Sequence, residues 1–229
     1  MVYFFKKKIL ITGNTGFVGS NLTDYLNNSG YETTGITRSP KSIKEYSYNT
    51  LSKEIWNKYN VFIHLAGKAH DLKGVSDDNE YFEVNTELTS KLFNEFLKSD
   101  CETFIYMSSV KAVADVLDGV LTEDVIPNPK TVYGKSKLAA EEYILSKEIP
   151  KNKRVYILRP CMIHGPNNKG NLNLLYNFVS KGIPYPFGRY VNKRSFVSVD
   201  NLCFVIKELI DSSKIESGIY NIADDVSLS

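Results

Sequence analysis

Two residues of this sequence, Tyr133 and Lys137, have side chains that together could transfer a proton. They stand four positions apart in Tyr133-Gly134-Lys135-Ser136-Lys137, so on a helix they lie on one face, one turn apart. An ammonium group beside a phenol favours the phenolate and therefore lowers the pKa of the tyrosine. A pKa lowered by about 3 would let the tyrosine act as general acid and base near neutral pH. The pair needs support from the rest of the chain, because this spacing also arises by chance.

A glycine turn between a strand and a helix indicates a dinucleotide site near the start of the chain. The apolar run at 9–11 predicts a buried strand, and apolar residues at helical spacing begin with Val18. In such a turn the glycines allow a tight bend, a close approach of backbone to pyrophosphate, and close packing of helix on strand. Amides at the helix N-terminus then bind the phosphates. The expected cofactor contacts are Gly13, Thr15, Gly16, Phe17, Val18 and Gly19.

The end of the second predicted strand bears on the choice between NADP and NAD. A NAD-binding fold of this type usually places an acid there, against the ribose 2′-hydroxyl. In this chain the strand at 33–37 is followed by Arg38, whose guanidinium suits a 2′-phosphate. Arg38 therefore favours NADP, with NAD as the alternative if Arg38 is only a solvated loop residue.

Composition and element order indicate the class of protein. Strands alternate with helices, which predicts an α/β, doubly wound parallel sheet. The net charge of +2 over 229 residues is too small to predict nucleic-acid binding. No apolar run reaches the roughly 18 residues of a membrane span, and no secretory signal is recognisable. Three widely spaced cysteines lack metal-ligand spacing. We expect a cytoplasmic protein without a metal site.

Taken in order, these motifs resemble the extended short-chain dehydrogenase/reductase superfamily, and within it the NAD-dependent epimerases and dehydratases of nucleotide sugars. The resemblance rests on the Gly-x-x-Gly-x-x-Gly turn, the pair Ser108-Ser109, the Tyr-x-x-x-Lys motif and an Arg-Pro segment at 159–160. It implies a Rossmann-like fold in which Ser109, rather than Ser108, holds the reacting oxygen of the substrate. The implied catalytic residues are Ser109, Tyr133 and Lys137, and the further cofactor contacts are Arg38, Leu65, Ala66, Gly67, Asn85, Tyr133, Lys137 and Pro160.

The residues after 165 resemble the nucleotide-sugar-binding part of the same superfamily. Ser109, Asn171 and Arg194 match positions that contact the substrate, the arginine through a phosphate. The resemblance implies a dinucleotide-binding domain at 1–165 and a partial nucleotide-sugar region at 166–229. This small C-terminal substrate domain is expected to be truncated, since related chains continue beyond the strand at 220–222. A homodimer formed through the Asn85 and Tyr133 helices is also implied.

The predicted reaction is hydride and proton exchange at carbon 4 of a UDP-sugar, with Tyr133 as acid and base. A 4-epimerase and an NADPH-dependent 4-keto-reductase share these residues, so both remain possible. Dehydration is disfavoured, because Ser109-Val110-Lys111 stands where the 4,6-dehydratases carry Thr-Asp-Glu. A non-catalytic NADP(H) sensor on the same fold is a further alternative, although such sensors typically lack the tyrosine or the lysine.

Two histidines and the adenine pocket leave alternatives open. His64, in the predicted strand at 61–67, is expected to be a packed strand residue rather than a base. His70 either faces a substrate or lies in a surface loop. The superfamily usually has an aspartate near the adenine after its third strand, and here Ser47 or Asn49 would have to replace it.

Overall fold

The centre of the molecule is a parallel sheet of seven strands. A computed structural model of the chain describes residues 7–69, 77–117, 119–168, 180–182 and 193–227. The strand order is β3-β2-β1-β4-β5-β6-β9, and a separate pair is formed by β7 and β8. The strands are β1 Lys8–Thr12, β2 Glu32–Thr37, β3 Glu45–Ser47, β4 Val61–His64, β5 Thr103–Met107, β6 Arg154–Pro160, β7 Met162–His164, β8 Phe196–Ser198 and β9 Gly218–Ile222.

Helices connect the parallel strands. In the described residues they are α1 Phe17–Asn28, α2 Lys53–Trp56, α3 Asp78–Phe82, α4 Leu88–Lys98, α5 Val132–Leu145 and α6 Val199–Asp211. A π-helical segment, Glu83–Glu87, joins α3 to α4, and Asp77 caps α3 by accepting from the Asn79 amide at 3.2 Å. None of the helices described is long and apolar enough to cross a bilayer.

The sheet is covered on both faces, as its near-continuous apolar strands require. Because side chains alternate along a strand, Ile9 and Ile11 of β1 pack into one core with α1 and α6. Leu10, between them, packs into the other core with α4 and α5. The expected doubly wound, Rossmann-like sheet is confirmed.

Part of the C-terminal range contributes to this same unit. Strand β9 pairs with β6 in parallel, and the apolar face of α6 packs against α1 and the sheet. The division into 1–165 and 166–229 stays a prediction. The structure nevertheless places α6 and β9, from the second range, in the core of the first.

Candidate active site

The glycine turn connects β1 to α1 in a conformation that only glycine accommodates well. Gly13 has φ +69°, and a Cβ there would come within 2.9 Å of the Ala66 amide nitrogen. A Cβ on Gly19 would lie 2.0 Å from the Gly13 carbonyl oxygen. The turn therefore packs directly on the start of α1 and on the segment that follows β4.

The start of α1 has the properties of an anion site. Its N-cap is Gly16, which has no side chain to bind the amides of the first turn, and no acid occupies that turn. Thr15 is exposed, while Phe17 and Val18 are half-buried. Backbone amides and the helix dipole at such an N-terminus favour a phosphate group.

Arg38 is exposed directly after β2. Burial raises the pKa of the Tyr48 phenol, and the positive charge of Arg38 opposes that rise. Ser47 ends β3 and accepts a hydrogen bond from the Asn49 amide at 3.4 Å. The side chains predicted for the adenosine end of a dinucleotide thus lie along the ends of β2 and β3.

Tyr133 and Lys137 both lie on α5, one turn apart as predicted. Thr131 caps the helix by accepting from the Gly134 amide at 3.2 Å. Asp115 binds the same end, because its carboxylate accepts from the Lys130 amide at 2.8 Å and from the Thr131 amide at 3.1 Å. The first turn of the helix, which carries the tyrosine, is therefore held from two sides.

Ser109 and Ser108 point to different partners. Ser109 caps the short 3₁₀ helix Val110–Ala112 by accepting from the Lys111 amide at 3.2 Å, and its side chain acts to lower the pKa of the Tyr133 phenol. The Ser108 hydroxyl donates instead to the buried carboxylate of Glu141. Ser109 is thus the serine that contacts Tyr133.

The expected lowering of the tyrosine pKa by Lys137 is wrong for this structure. Burial raises the pKa of Tyr133, and interaction with the Ser109 side chain only partly offsets that rise. Burial also lowers the pKa of Lys137 to about 8, against the opposing effect of the Glu141 charge. The ammonium of Lys137 donates to the Met107 carbonyl at 2.7 Å and lies 4.8 Å from the centre of the Tyr106 ring. Desolvation, which a sequence pattern does not report, sets the direction of the shift of the Tyr133 pKa.

Asn85 connects the segment that follows β4 to α5. Its side-chain oxygen accepts from the Lys68 amide at 2.7 Å, and its amide group donates to the Lys68 carbonyl and the Ser136 hydroxyl, each at 2.9 Å. A Cβ added to Gly67 would lie 3.0 Å from this oxygen and 3.1 Å from the Lys137 nitrogen. Asn85 is buried in the π-helical segment, a distortion often found at functional sites.

His64 lies in a hydrogen-bond chain whose direction follows from its ends. The Ala66 amide donates to the Thr12 hydroxyl, and the Thr89 hydroxyl donates to the Asn85 carbonyl. Thr89 must therefore accept from Nε2 of His64 at 2.9 Å, while Nδ1 accepts from Thr12 at 2.6 Å. Burial, aided by the Lys137 charge, lowers the pKa of His64 to about 3. His64 is a neutral, packed strand residue that connects the glycine turn to the Asn85 segment.

This buried histidine predicts a pH dependence of stability. Its pKa is about 3 when folded and 6.5 otherwise, so between these values the unfolded chain binds more protons and stability falls with acidification. From about pH 7 to about pH 5 the free energy of unfolding should decrease by about 2 kcal/mol through this group. Denaturant titrations of His64→Gln should show a shallower dependence than wild type. His164→Gln, at a half-exposed position, is the control. Equal slopes for wild type and His64→Gln would refute the assignment.

The remaining predicted contacts fall in different places. Leu65 and Ala66 line the turn beside Gly13, and Pro160 is buried at the end of β6. Arg194 is exposed two residues before β8. Asn171 and His70 lie outside the described residues.

Sequence reasoning missed the buried ion pair of Glu141 and Arg159. The Arg159 guanidinium donates from Nε to both carboxylate oxygens at 3.1 Å and from Nη2 to one of them at 2.6 Å. The signal was present, since Glu141 follows Lys137 by one helical turn and both lie on the buried face of α5.

The family is decided by the match of a family model. The model for the NAD dependent epimerase/dehydratase family covers residues 9–223. This chain belongs to that family. The predicted resemblance is thereby confirmed. The glycine turn and the Tyr-x-x-x-Lys helix both lie within the matched residues.

This chain covers part of the length of each of its relatives. A UDP-glucose 4-epimerase of Vibrio cholerae is 34% identical over 240 residues, which cover 95% of this chain and 71% of the relative. A GDP-6-deoxy-D-mannose reductase of Pseudomonas aeruginosa is 29% identical over 167 residues, covering 71% of this chain and 54% of that enzyme. The structure of MoeE5 in complex with UDP-glucuronic acid and NAD superposes with a TM-score of 0.81 at 25% identity, covering 96% of this chain and 78% of MoeE5.

Proposed function

We propose that this family member is a nucleotide-sugar 4-epimerase that exchanges hydride and proton at carbon 4 of a UDP-sugar. The observation that carries the proposal is the grouping of Ser109, Tyr133 and Lys137 where β5 meets α5. The glycine turn, a site for pyrophosphate, lies against the segment after β4 at the same edge of the sheet. The UDP-sugar follows from the names of the Vibrio cholerae relative and of the MoeE5 complex.

The residues present fit a nicotinamide dinucleotide. Gly13 and Gly19 leave space that a Cβ would fill, and the uncapped N-terminus of α1 offers amides to a pyrophosphate. Gly67 leaves the Lys137 nitrogen without a side chain in front of it, so Lys137 and Asn85 would support the nicotinamide ribose. When bound, the nicotinamide group supplies the donor and acceptor of hydride.

Tyr133 is proposed to exchange the proton. Its raised pKa keeps the phenol protonated at neutral pH, which suits proton donation to a 4-keto oxygen. In the opposite direction the phenolate is required, and the Ser109 hydroxyl stabilises it by hydrogen bonding. Ser109 would also bind the reacting oxygen of the sugar and hold it against Tyr133.

A 4-keto-reductase is the second candidate, and Arg38 is the observation that favours it. The guanidinium is exposed directly after β2, where it would bind the 2′-phosphate of NADP by donating hydrogen bonds to it. NADPH used as a consumed reductant suits a reductase, whereas an epimerase recovers its hydride. The Pseudomonas aeruginosa relative is named as a reductase of a GDP-linked sugar.

Substrate and partner contacts complete the proposal. Asn171 and Arg194 would bind the diphosphate, and the α4 and α5 helices would form a homodimer in the cytoplasm. A non-catalytic sensor is disfavoured, because both Tyr133 and Lys137 are present.

One assay separates these functions. The purified full-length protein is denatured, the released nucleotide is identified, and UDP-glucose, UDP-glucuronic acid and UDP-N-acetylglucosamine are tested with and without NADPH. Retained NAD or NADP and interconversion of C4 epimers without added cofactor is the expected result. Consumption of NADPH on a 4-keto sugar by an initially empty protein would replace the epimerase with the reductase. Cofactor binding without turnover of any of these sugars would contradict both.

A further inference from the structure

The end of β5 is bound to α5 at three successive points. The carbonyl of Met107 accepts from Lys137, the hydroxyl of Ser108 donates to Glu141, and the side chain of Ser109 acts on the Tyr133 phenol by lowering its pKa. The three helical partners are spaced by four residues, so they form one row along the helix. The three strand-end residues follow one another directly. Shifting the strand end along the helix would therefore break all three contacts together.

Glu141 is the innermost of these helical partners. It is fully buried, and the Arg159 guanidinium, 3% exposed, binds both of its oxygens. Burying two charges costs desolvation energy that their attraction often only offsets, so apolar residues would give comparable stability. The stability of the fold is thus a weak explanation for why this ion pair is buried. Its connection to the row formed by Tyr133, Lys137 and Glu141 is a stronger one.

The carboxylate also acts on the lysine one turn away. Burial makes the Lys137 ammonium costly, and Glu141 is the charged group that opposes this cost. The other titratable groups facing Lys137 are His64 of β4, neutral at working pH, Tyr106 of β5, and Tyr133 on its own helix. Arg159 of β6 forms an ion pair with Glu141.

We propose that Glu141, oriented by Arg159, is a positioning residue of this active site. It holds Ser108 and thereby places Ser109 opposite Tyr133, and its negative charge retains the ammonium form of Lys137. The catalytic part of this inference rests on the proposed function; the part about Lys137 does not.

Two variants test the proposal. Glu141→Gln alone would leave Arg159 as an unpaired buried charge and would destabilise the fold, so the pair is replaced together by Glu141→Gln/Arg159→Met. Ser108→Ala removes only the contact to the strand end and leaves the ion pair. Glu142→Gln, at the exposed neighbouring position, is the control.

The first measurement needs neither cofactor nor substrate. Lysine labelled with ¹³C at Cε is titrated by NMR, and the Lys137 signal is assigned by its loss in Lys137→Met. In the double variant, with near-normal circular dichroism, Lys137 should release its proton about one pH unit lower than in wild type. An unchanged titration in a folded double variant would overturn the electrostatic part of the proposal, whatever reaction the enzyme catalyses.

The second measurement tests, by steady-state kinetics, whether Glu141 and Ser108 position the reacting groups. In Ser108→Ala and in the double variant, kcat should fall about tenfold while KM changes less than about twofold, because the row positions reacting groups rather than binding the substrate. When kcat is measured against pH, the fall of kcat at alkaline pH should move to lower pH only in the double variant. Wild-type kcat in a folded Ser108→Ala protein would overturn the positioning role. Absence of turnover in wild type would contradict the proposed function instead, and the NMR titration would still decide the role of Glu141.

Discussion

Replacing Tyr133 with phenylalanine is expected to lower kcat at least about a hundredfold while cofactor binding is retained. A positioned general acid and base contributes roughly a hundred- to ten-thousandfold to a rate, and the substitution removes only the hydroxyl proposed to exchange the proton. The ring stays in place, so the packing of α5 should change little. Steady-state kinetics on the UDP-sugar found to be the substrate, with the dissociation constant of the cofactor measured in parallel, check this result.

Tyr143→Phe provides a matched control on the same helix. Its phenol donates to the side-chain oxygen of Asn94 at 2.9 Å, far from Ser109, so its loss should cost about 1 kcal/mol of stability and leave kcat unchanged. A Tyr133→Phe enzyme as fast as wild type would remove Tyr133 from the mechanism. It would also revive the non-catalytic sensor as an explanation of the fold.

Gly19→Ala is expected to destroy cofactor binding and to destabilise the protein by at least about 3 kcal/mol, the upper range for overpacking a close-packed site. The added Cβ would lie 2.0 Å from the carbonyl oxygen and 2.7 Å from the carbonyl carbon of Gly13. Both are backbone atoms that no side-chain rotation can move away. Either the turn opens, which displaces the amides expected to hold the pyrophosphate, or α1 shifts from the sheet.

Gly218→Ala controls for the general effect of adding a methyl group to a glycine. Its Cβ would find its nearest neighbour at 3.8 Å, an ordinary contact. Chemical denaturation and titration with NADH and NADPH, followed by fluorescence, measure both consequences. A Gly19→Ala protein with wild-type stability and affinity would mean that the turn does not have the tight geometry on which the dinucleotide site is built.

The two proposals place different demands on the same row of residues. The epimerase proposal requires Tyr133 both to give and to take a proton, yet burial alone favours the protonated phenol. The Ser109 contact is the feature of the row that opposes this effect. The Glu141 ion pair then matters because it sets the position of the strand end that carries Ser109.

Local patterns in the sequence were sufficient for the fold class and for placing Tyr133 and Lys137 on one helix. Apolar runs such as 9–11 predict buried parallel strands, and the i, i+4 spacing places Tyr133 and Lys137 on one helical face whatever surrounds the helix. The glycine spacing likewise indicates the turn, because the absence of a side chain is a property of the residue itself.

The tertiary structure alone decided the electrostatics and the long-range partners. The pKa of Tyr133 is raised and not lowered, because desolvation depends on everything packed around the phenol. His64 is a neutral link between Thr12 and Thr89, and Glu141 is paired with Arg159, through contacts between elements far apart in the chain. Sequence spacing specifies which residues share a face of a helix or strand. Burial and charge depend on the other elements that cover that face, and these are brought together only by the folded sheet.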